Sequence, residues 1–291
     1  MKSFVTGALG QLGQELRTLL PTDTVWTDLA ANPDLNVEPL DITDAIAVMA
    51  AVEAAQPSVI YHCAAYTNVD GAESNQALAR AVNVDGTVNV ARAAATVGAK
   101  LVVLSTDFVF DGTSNAPYRE TDQPNPSSVY GQTKLDAERV AQATCQHTFI
   151  VRTAWLYGPS VPVAPVKNFP QTMQRLANER AEITVVNDQT GSPTFTKDLA
   201  TAILKLAATD GYGVWHITNQ GQASWYEFAC AILADKIEAD AVTVKPISTV
   251  EYPTAAKRPA YSVLDTGKFV SRFGPLRFWH AALAGYLLNH H

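Results

Sequence analysis

In the run Tyr130-Gly131-Gln132-Thr133-Lys134 a phenol and an ammonium stand four positions apart. Side chains four apart on a helix share a face, so the two lie side by side. A free tyrosine titrates near ~10 and is a weak acid–base group at neutral pH. A neighbouring cation favours the phenolate and is expected to lower that value. Such a pair is common on helix surfaces, and its context gives it meaning. An apolar run, Leu101 to Ser105, ends in Ser105-Thr106-Asp107. In a parallel sheet, ligands bind beyond the C-terminal strand ends. A hydroxyl there can hydrogen-bond a carbonyl oxygen as charge develops on it. Thr106 and Tyr130 are therefore expected to approach one oxygen together, with Lys134 completing the catalytic set.

A second constellation suits a dinucleotide. Thr6-Gly7-Ala8-Leu9-Gly10-Gln11-Leu12-Gly13 lies between an apolar tetrapeptide and an amphipathic stretch. Its glycines are spaced G-x-x-G-x-x-G. Missing side chains let the backbone turn sharply and approach a pyrophosphate. Gly7, Gly10, Gln11, Leu12 and Gly13 are thus candidate cofactor contacts. Asp28 falls 21 residues after Gly7, where an acid accepts hydrogen bonds from an adenosine ribose. An acid there favours the unphosphorylated cofactor, NADH over NADPH. Asp41 and Ile42, after the next apolar stretch, are candidates to frame the adenine, though the dipeptide alone carries no signal, and Lys134 can also hold the nicotinamide ribose. Arg258 suits the oxygens of a diphosphate or, equally, a surface salt bridge.

These residues need a scaffold, and the pattern around them supplies one. Strands are expected at Ser3 to Thr6, Thr24 to Thr27, Ser58 to Cys63, Lys100 to Ser105 and His147 to Thr153. Helices are expected at Gln11 to Leu20, Asp44 to Ala55, Gln76 to Val97 and Val129 to Ala143. Strands alternating with helices predict a Rossmann-like, doubly wound parallel α/β sheet. Gly158 to Pro165 holds three prolines and reads as a loop, expected at the substrate rim. Beyond it come a helix at Asn168 to Asn178, a strand at Ile183 to Val186 and a helix at Thr196 to Ala207. The expected division is a dinucleotide-binding domain over 1–157, with 183–210 returning to it. A smaller mixed α/β substrate-binding region takes 158–182 and 211–291.

Bulk composition narrows the class. The chain has 291 residues, 47% apolar and 17% charged, which is ordinary for a globular protein. A net charge of -7 gives no general attraction to nucleic-acid backbones, so no nucleic acid is expected as partner. Three scattered cysteines argue against a disulfide framework and point to a reduced, cytoplasmic compartment. No apolar run reaches membrane-spanning length, and the opening residues lack the apolar core of a signal peptide. His62 follows an apolar run and reads as a core residue.

Together the motifs resemble the extended short-chain dehydrogenase/reductase family, and within it the dTDP-4-dehydrorhamnose reductase branch. The resembling stretches run from Gly7, Asp41, Cys63, Ser105, Tyr130, Arg152, Asn187, Ser224 and Arg258, and cover nearly the whole chain. The resemblance implies reduction of the 4-ketone of a sugar nucleotide, dTDP-4-dehydro-β-L-rhamnose, by NADPH or NADH, in surface-polysaccharide biosynthesis. It implies that Thr106 and Asp107 touch the sugar, that Trp155 packs beside it, and that Ala64, Ala65 and Tyr66 line the cofactor. Glu15 matches a position that some members use for a Mg2+-linked dimer; read alone it is a solvated helix glutamate. A monomer or a homodimer fits. Phe108 stands where the family has tyrosine, and Ala154 where it has serine. Two related outcomes are an epimerase or dehydratase on another sugar nucleotide, and a non-catalytic NADP-binding regulatory subunit.

Overall fold

A computed structural model describes residues 2–288. In chain order the first half comprises β1 (Ser3–Thr6), α1 (Gln11–Arg17), β2 (Val25–Asp28), β3 (Val37–Pro39), α2 (Ala45–Ala55) and β4 (Val59–His62). Then come α3 (Val69–Ser74), α4 (Gln76–Arg80), a π-turn (Ala81–Asp85), α5 (Gly86–Val97), β5 (Lys100–Thr106), α6 (Val129–Thr144) and β6 (Thr148–Thr153). The second half holds β7 (Leu156–Tyr157), α7 (Phe169–Glu179), β8 (Glu182–Val186), β9 (Thr190–Gly191), β10 (Thr194–Phe195), α8 (Thr196–Ala207) and β11 (Gly213–His216). It ends with β12 (Ala223–Ser224), α9 (Trp225–Ile232), α10 (Ala234–Glu238), β13 (Thr243–Ile247), α11 (Gly267–Phe273) and α12 (Trp279–Leu287).

Seven strands form one sheet in the order β11-β6-β5-β4-β1-β2-β3. All its pairings are parallel. The order reverses between β1 and β4, which opens a crevice at the C-terminal ends of those strands. Alternation along the strands fills both faces. Val5, Val102, Phe149 and Val151 meet Leu12, Leu16, Leu199 and Ile203 of α1 and α8. The intervening Phe4, Ile60, Leu101, Val103 and Ile150 meet Val48, Val52, Val90 and Ala94 of α2 and α5. Apolar side chains on both faces are the reason these strands read as near-continuous apolar runs.

The second region has a core of its own. Tyr157, Met173, Ile183, Phe195, Phe228, Ile232, Trp279 and Leu283 pack together over the short sheets. The expected division is redrawn at two places. The strand near Ile183 does not return to the main sheet: β8 pairs with β13 in a separate two-stranded sheet. Its exposed, polar alternate residues fit a one-sided strand and not a sheet interior. Conversely β11, expected in the substrate region, forms the edge of the main sheet beside β6. The helix α8 does return, packing its apolar face on α1.

The proline-rich loop of 158–165 is held against the first helix, α1: Gln14 receives the Val161 N–H at 3.1 Å and donates to Ala164 O at 2.9 Å. Asn32 donates to Val163 O at 2.8 Å. The loop therefore borders the glycine turn. Among the described residues, no helix is long and apolar enough to cross a membrane.

Candidate active site

Helix α6 delivers Tyr130 to the end of β5 because its first turn is held from two sides. Ser128 caps it, accepting the Gly131 N–H at 3.1 Å. Glu73 of α3 accepts the Val129 N–H at 2.8 Å. Gly131 has no side chain to spare: a Cβ there would stand 2.2 Å from Phe108 O. The turn thus presses against residues 107–109, and the Phe108 and Tyr130 rings meet edge-to-face at 5.9 Å. Phe108, the family departure, gives Tyr130 an apolar neighbour. Thr106 Oγ1 donates to Asp107 Oδ1 at 3.0 Å and accepts the Phe108 N–H at 3.2 Å.

The electrostatics depart from expectation. Burial pushes the Tyr130 phenol up to about 12, against a smaller downward pull from its hydrogen bond with Thr106. The expected lowering by Lys134 does not appear: desolvation of the phenolate dominates, and the Asp107 carboxylate adds a smaller upward push. Tyr130 is thereby a neutral phenol at ordinary pH, the form that donates a proton. Burial also pushes Lys134 down to about 8, opposed by the Glu138 carboxylate one turn further along α6. Asp107 is pushed up to about 6 by burial, with the hydroxyls of Ser262 and Thr106 pulling it back.

Behind these groups lies a polar network that the sequence reading missed. Arg152 Nε and Nη2 bind the two oxygens of Glu138 at 2.8 and 2.6 Å. Ser105 Oγ donates to the same carboxylate at 2.5 Å. Both ionic side chains are almost fully buried, so each charge depends on the other. Asn83, in the π-turn, accepts the Tyr66 N–H at 2.8 Å, donates to Tyr66 O at 3.2 Å and donates to Thr133 Oγ1 at 3.0 Å. One amide thereby ties the segment after β4 to α6. The available signal for Glu138 was its i+4 spacing from Lys134. Nothing local distinguished Asn83.

The glycine turn crosses the switch point closely. Gly7 has φ +72°, and a Cβ on it would stand 2.5 Å from Ala64 N. A Cβ on Gly13 would stand 2.4 Å from Gly7 O. These two glycines compress the turn against β4 and α1, while Gly10 begins the helix with no side-chain cap. Asp28 Oδ2 accepts the Leu9 N–H at 2.9 Å and Oδ1 the Leu29 N–H at 2.7 Å. The acid thus holds the turn against β2 and keeps lone pairs for a ribose. A bare backbone turn with a carboxylate beside it fits a dinucleotide. Ala64, Ala65 and Tyr66 follow β4 at the same crevice and are half-buried.

Other candidates also have structural partners of their own. Leu12 and Ile42 bury their side chains in the two cores. Gln11 accepts from Asn168 at 3.4 Å. Asp41 caps its own turn, accepting the Thr43 N–H at 2.9 Å. His62 is a core residue between Thr6 and Thr87, and burial pushes it down to about 3. Glu15 is not solvated: it is 5% exposed, and that burial raises its pKa while Lys197 lowers it. Among the described residues no cluster of three His, Cys, Asp or Glu could hold a metal ion.

Trp155 follows β6, whose Thr153 pairs with Thr106. Its φ of +47° is a left-handed conformation unusual for a bulky residue. The indole stacks on Trp225 at 3.5 Å and 6°, and a Cβ on Gly191 would stand 2.5 Å from it. Trp225 in turn lines a cavity of about 430 Å³ with Phe169, Met173, Tyr252, Arg180 and Arg258. Arg258 bonds Asp70 Oδ2 at 2.6 Å.

The chain as a whole is similar to known proteins. The model of the RmlD substrate binding domain family matches residues 1–291. A dTDP-4-dehydrorhamnose reductase of Streptomyces griseus is 43% identical over 287 residues, 96% of this chain and 91% of its own. One of Mycobacterium tuberculosis is 40% identical over 286 residues, 96% and 90% of the two chains. A solved dTDP-4-dehydrorhamnose reductase of Bacillus anthracis, in complex with NADP, superimposes with a TM-score of 0.88 at 40% identity, covering 99% of each chain.

Proposed function

The chain belongs to the RmlD substrate binding domain family, and from that premise we propose that it reduces the 4-ketone of dTDP-4-dehydro-β-L-rhamnose to dTDP-β-L-rhamnose. Its place is then in dTDP-rhamnose and surface-polysaccharide biosynthesis. The observation that carries the reading is the placement of Thr106 and Tyr130 at the end of β5, beside the crevice of a dinucleotide fold.

NADPH or NADH, when bound, supplies the hydride. Gly7, Gly10 and Gly13 give the backbone approach for its pyrophosphate, and Asp28 the acceptor for its ribose. Ala64, Ala65 and Tyr66 line the crevice beside it, and Asp41 and Ile42 border the adenine end. Lys134 reaches the nicotinamide ribose. Thr106 holds the ketone oxygen, and the neutral Tyr130 gives it the proton as the carbon is reduced. Asp107 and Trp155 contact the sugar. The cavity walled by Trp225, Phe169 and Tyr252, with Arg180 and Arg258 on its rim, suits a base and a diphosphate.

The test is oxidation of NADPH or NADH by the purified protein with dTDP-4-dehydro-L-rhamnose. One cofactor consumed per sugar reduced is expected. No turnover by folded protein refutes the reading, and turnover without net cofactor consumption favours an epimerase.

A further inference from the structure

The short helix α3 carries two carboxylates that hold two different segments. Glu73 accepts the Val129 N–H at the start of the catalytic helix. Asp70, three residues earlier, binds a segment distant in sequence. Its Oδ1 accepts the Ala256 N–H at 3.0 Å, and its Oδ2 accepts Arg258 Nη2 at 2.6 Å. One carboxylate therefore fixes both the backbone and the guanidinium of the 256–258 loop. The start of α3 is itself fixed, because Asn68 accepts the Gly71 N–H at 2.9 Å.

An ion pair this exposed contributes little to stability. Arg258 lines the 430 Å³ cavity, while Asp70 does not. The carboxylate thus stands behind the guanidinium. It takes one of five N–H donors and leaves others for the cavity side. Arg180 is a second cation on the wall, and none of the lining residues is acidic. A cavity with two guanidiniums, aromatic walls and no carboxylate is complementary to an anion joined to a planar ring.

Resting on the function proposed above, we propose that Asp70 is a positioning residue: it presets Arg258 for the diphosphate of the sugar nucleotide. Holding the guanidinium in place before binding reduces the rotamer freedom lost on binding.

The experiment uses the full chain and calorimetric titration with dTDP and, separately, thymidine. Asp70→Asn keeps the shape and removes the charge. The expected result is about tenfold weaker dTDP binding, thymidine binding within about twofold, and NADPH binding within about twofold. Arg258→Gln is expected to weaken dTDP as much or more, and Asp70→Asn added to it should weaken dTDP no further. Equal losses for dTDP and thymidine would mean general loosening of the pocket and overturn the proposal. So would unchanged dTDP binding, or additive losses in the double variant. Wild-type protein that binds NADPH but neither dTDP nor thymidine refutes the sugar-nucleotide reading itself, and this proposal with it. Wild-type binding with an indifferent Asp70→Asn refutes this proposal alone.

Discussion

Lys134 and Glu138 stand one turn apart on α6, both buried, and the Glu138 carboxylate is already taken up by Arg152 and Ser105. Its pull on Lys134 is partial for that reason, and burial prevails, leaving the ammonium near 8 instead of 10.5. The unfolded chain therefore holds more protons than the folded one between those values. Stability contributed by this group rises with pH across that window and is lost as pH falls through about 8. Lys134→Met should remove that slope from the pH dependence of thermal unfolding. Parallel curves for the two proteins would refute the assignment. The same deprotonation should lower kcat/KM on the alkaline side, with an apparent pKa near 8 in the free enzyme.

Tyr130→Phe keeps the edge-to-face contact with Phe108 and removes the proton. Turnover should fall by about 10²–10⁴-fold, with NADPH affinity within about twofold of wild type. Steady-state kinetics and cofactor titration check this, and retention of most of the activity would exclude Tyr130 as the acid.

Asp107 has the opposite sign to Lys134. Its carboxyl is raised from 3.8 to about 6, so the folded chain holds the extra proton in that interval. The stability it contributes is full below 3.8 and is lost as pH rises through about 6. Asp107→Asn should be relatively more stable than wild type above pH 6, the difference shrinking towards pH 4. Unfolding midpoints at a series of pH values decide it; a constant difference would contradict the burial argument.

Gly191→Ala places a methyl 2.5 Å from the Trp155 indole. The indole has to move and the stack on Trp225 has to open. KM for the sugar nucleotide should rise by about tenfold, equivalent to about 1.4 kcal/mol, with NADPH affinity little changed. Near-ultraviolet circular dichroism reports the stack directly, and an unaltered spectrum with unaltered KM would refute the coupling.

Asn83→Ala strands the Tyr66 N–H and one side of Thr133. Leaving a buried donor unmatched costs about 1–3 kcal/mol. Urea unfolding should show that loss, and cofactor affinity should fall with it, because Tyr66 sits at the crevice. A stability change below about 0.5 kcal/mol would show that the amide has a substitute.

Much of the fold was legible because the interior strands bury both faces. Phe4, Val5, Ile60, Leu101, Val102 and Ile150 leave no polar alternation to misread. The strands that escaped notice are short or marginal. β3 has three residues, two of them exposed, and β11 is a sheet edge that begins at Gly213. The uninterrupted helix expected over Gln76 to Val97 is instead α4, a π-turn and α5, since helical propensity does not register one extra residue in a turn. At the site, Tyr130, Lys134, Thr106 and the glycines carried local patterns. Asn83, Glu138 and Asp70 act through partners 14 to 188 residues away, and no local spacing encodes such pairings.

The π-turn at Ala81–Asp85 also limits how this chain can change over generations. Each helical residue advances the chain by about 100°, so the additional one sets the azimuth of everything before it relative to α5. Dropping a single residue between Ala81 and Gly86 would restore a regular helix while swinging the Asn83 amide away from Tyr66 and Thr133. Exchanges of side chain in this stretch can be repaired one at a time; a change of length cannot. The interval from Ala81 to Gly86 is therefore bound to a fixed residue count.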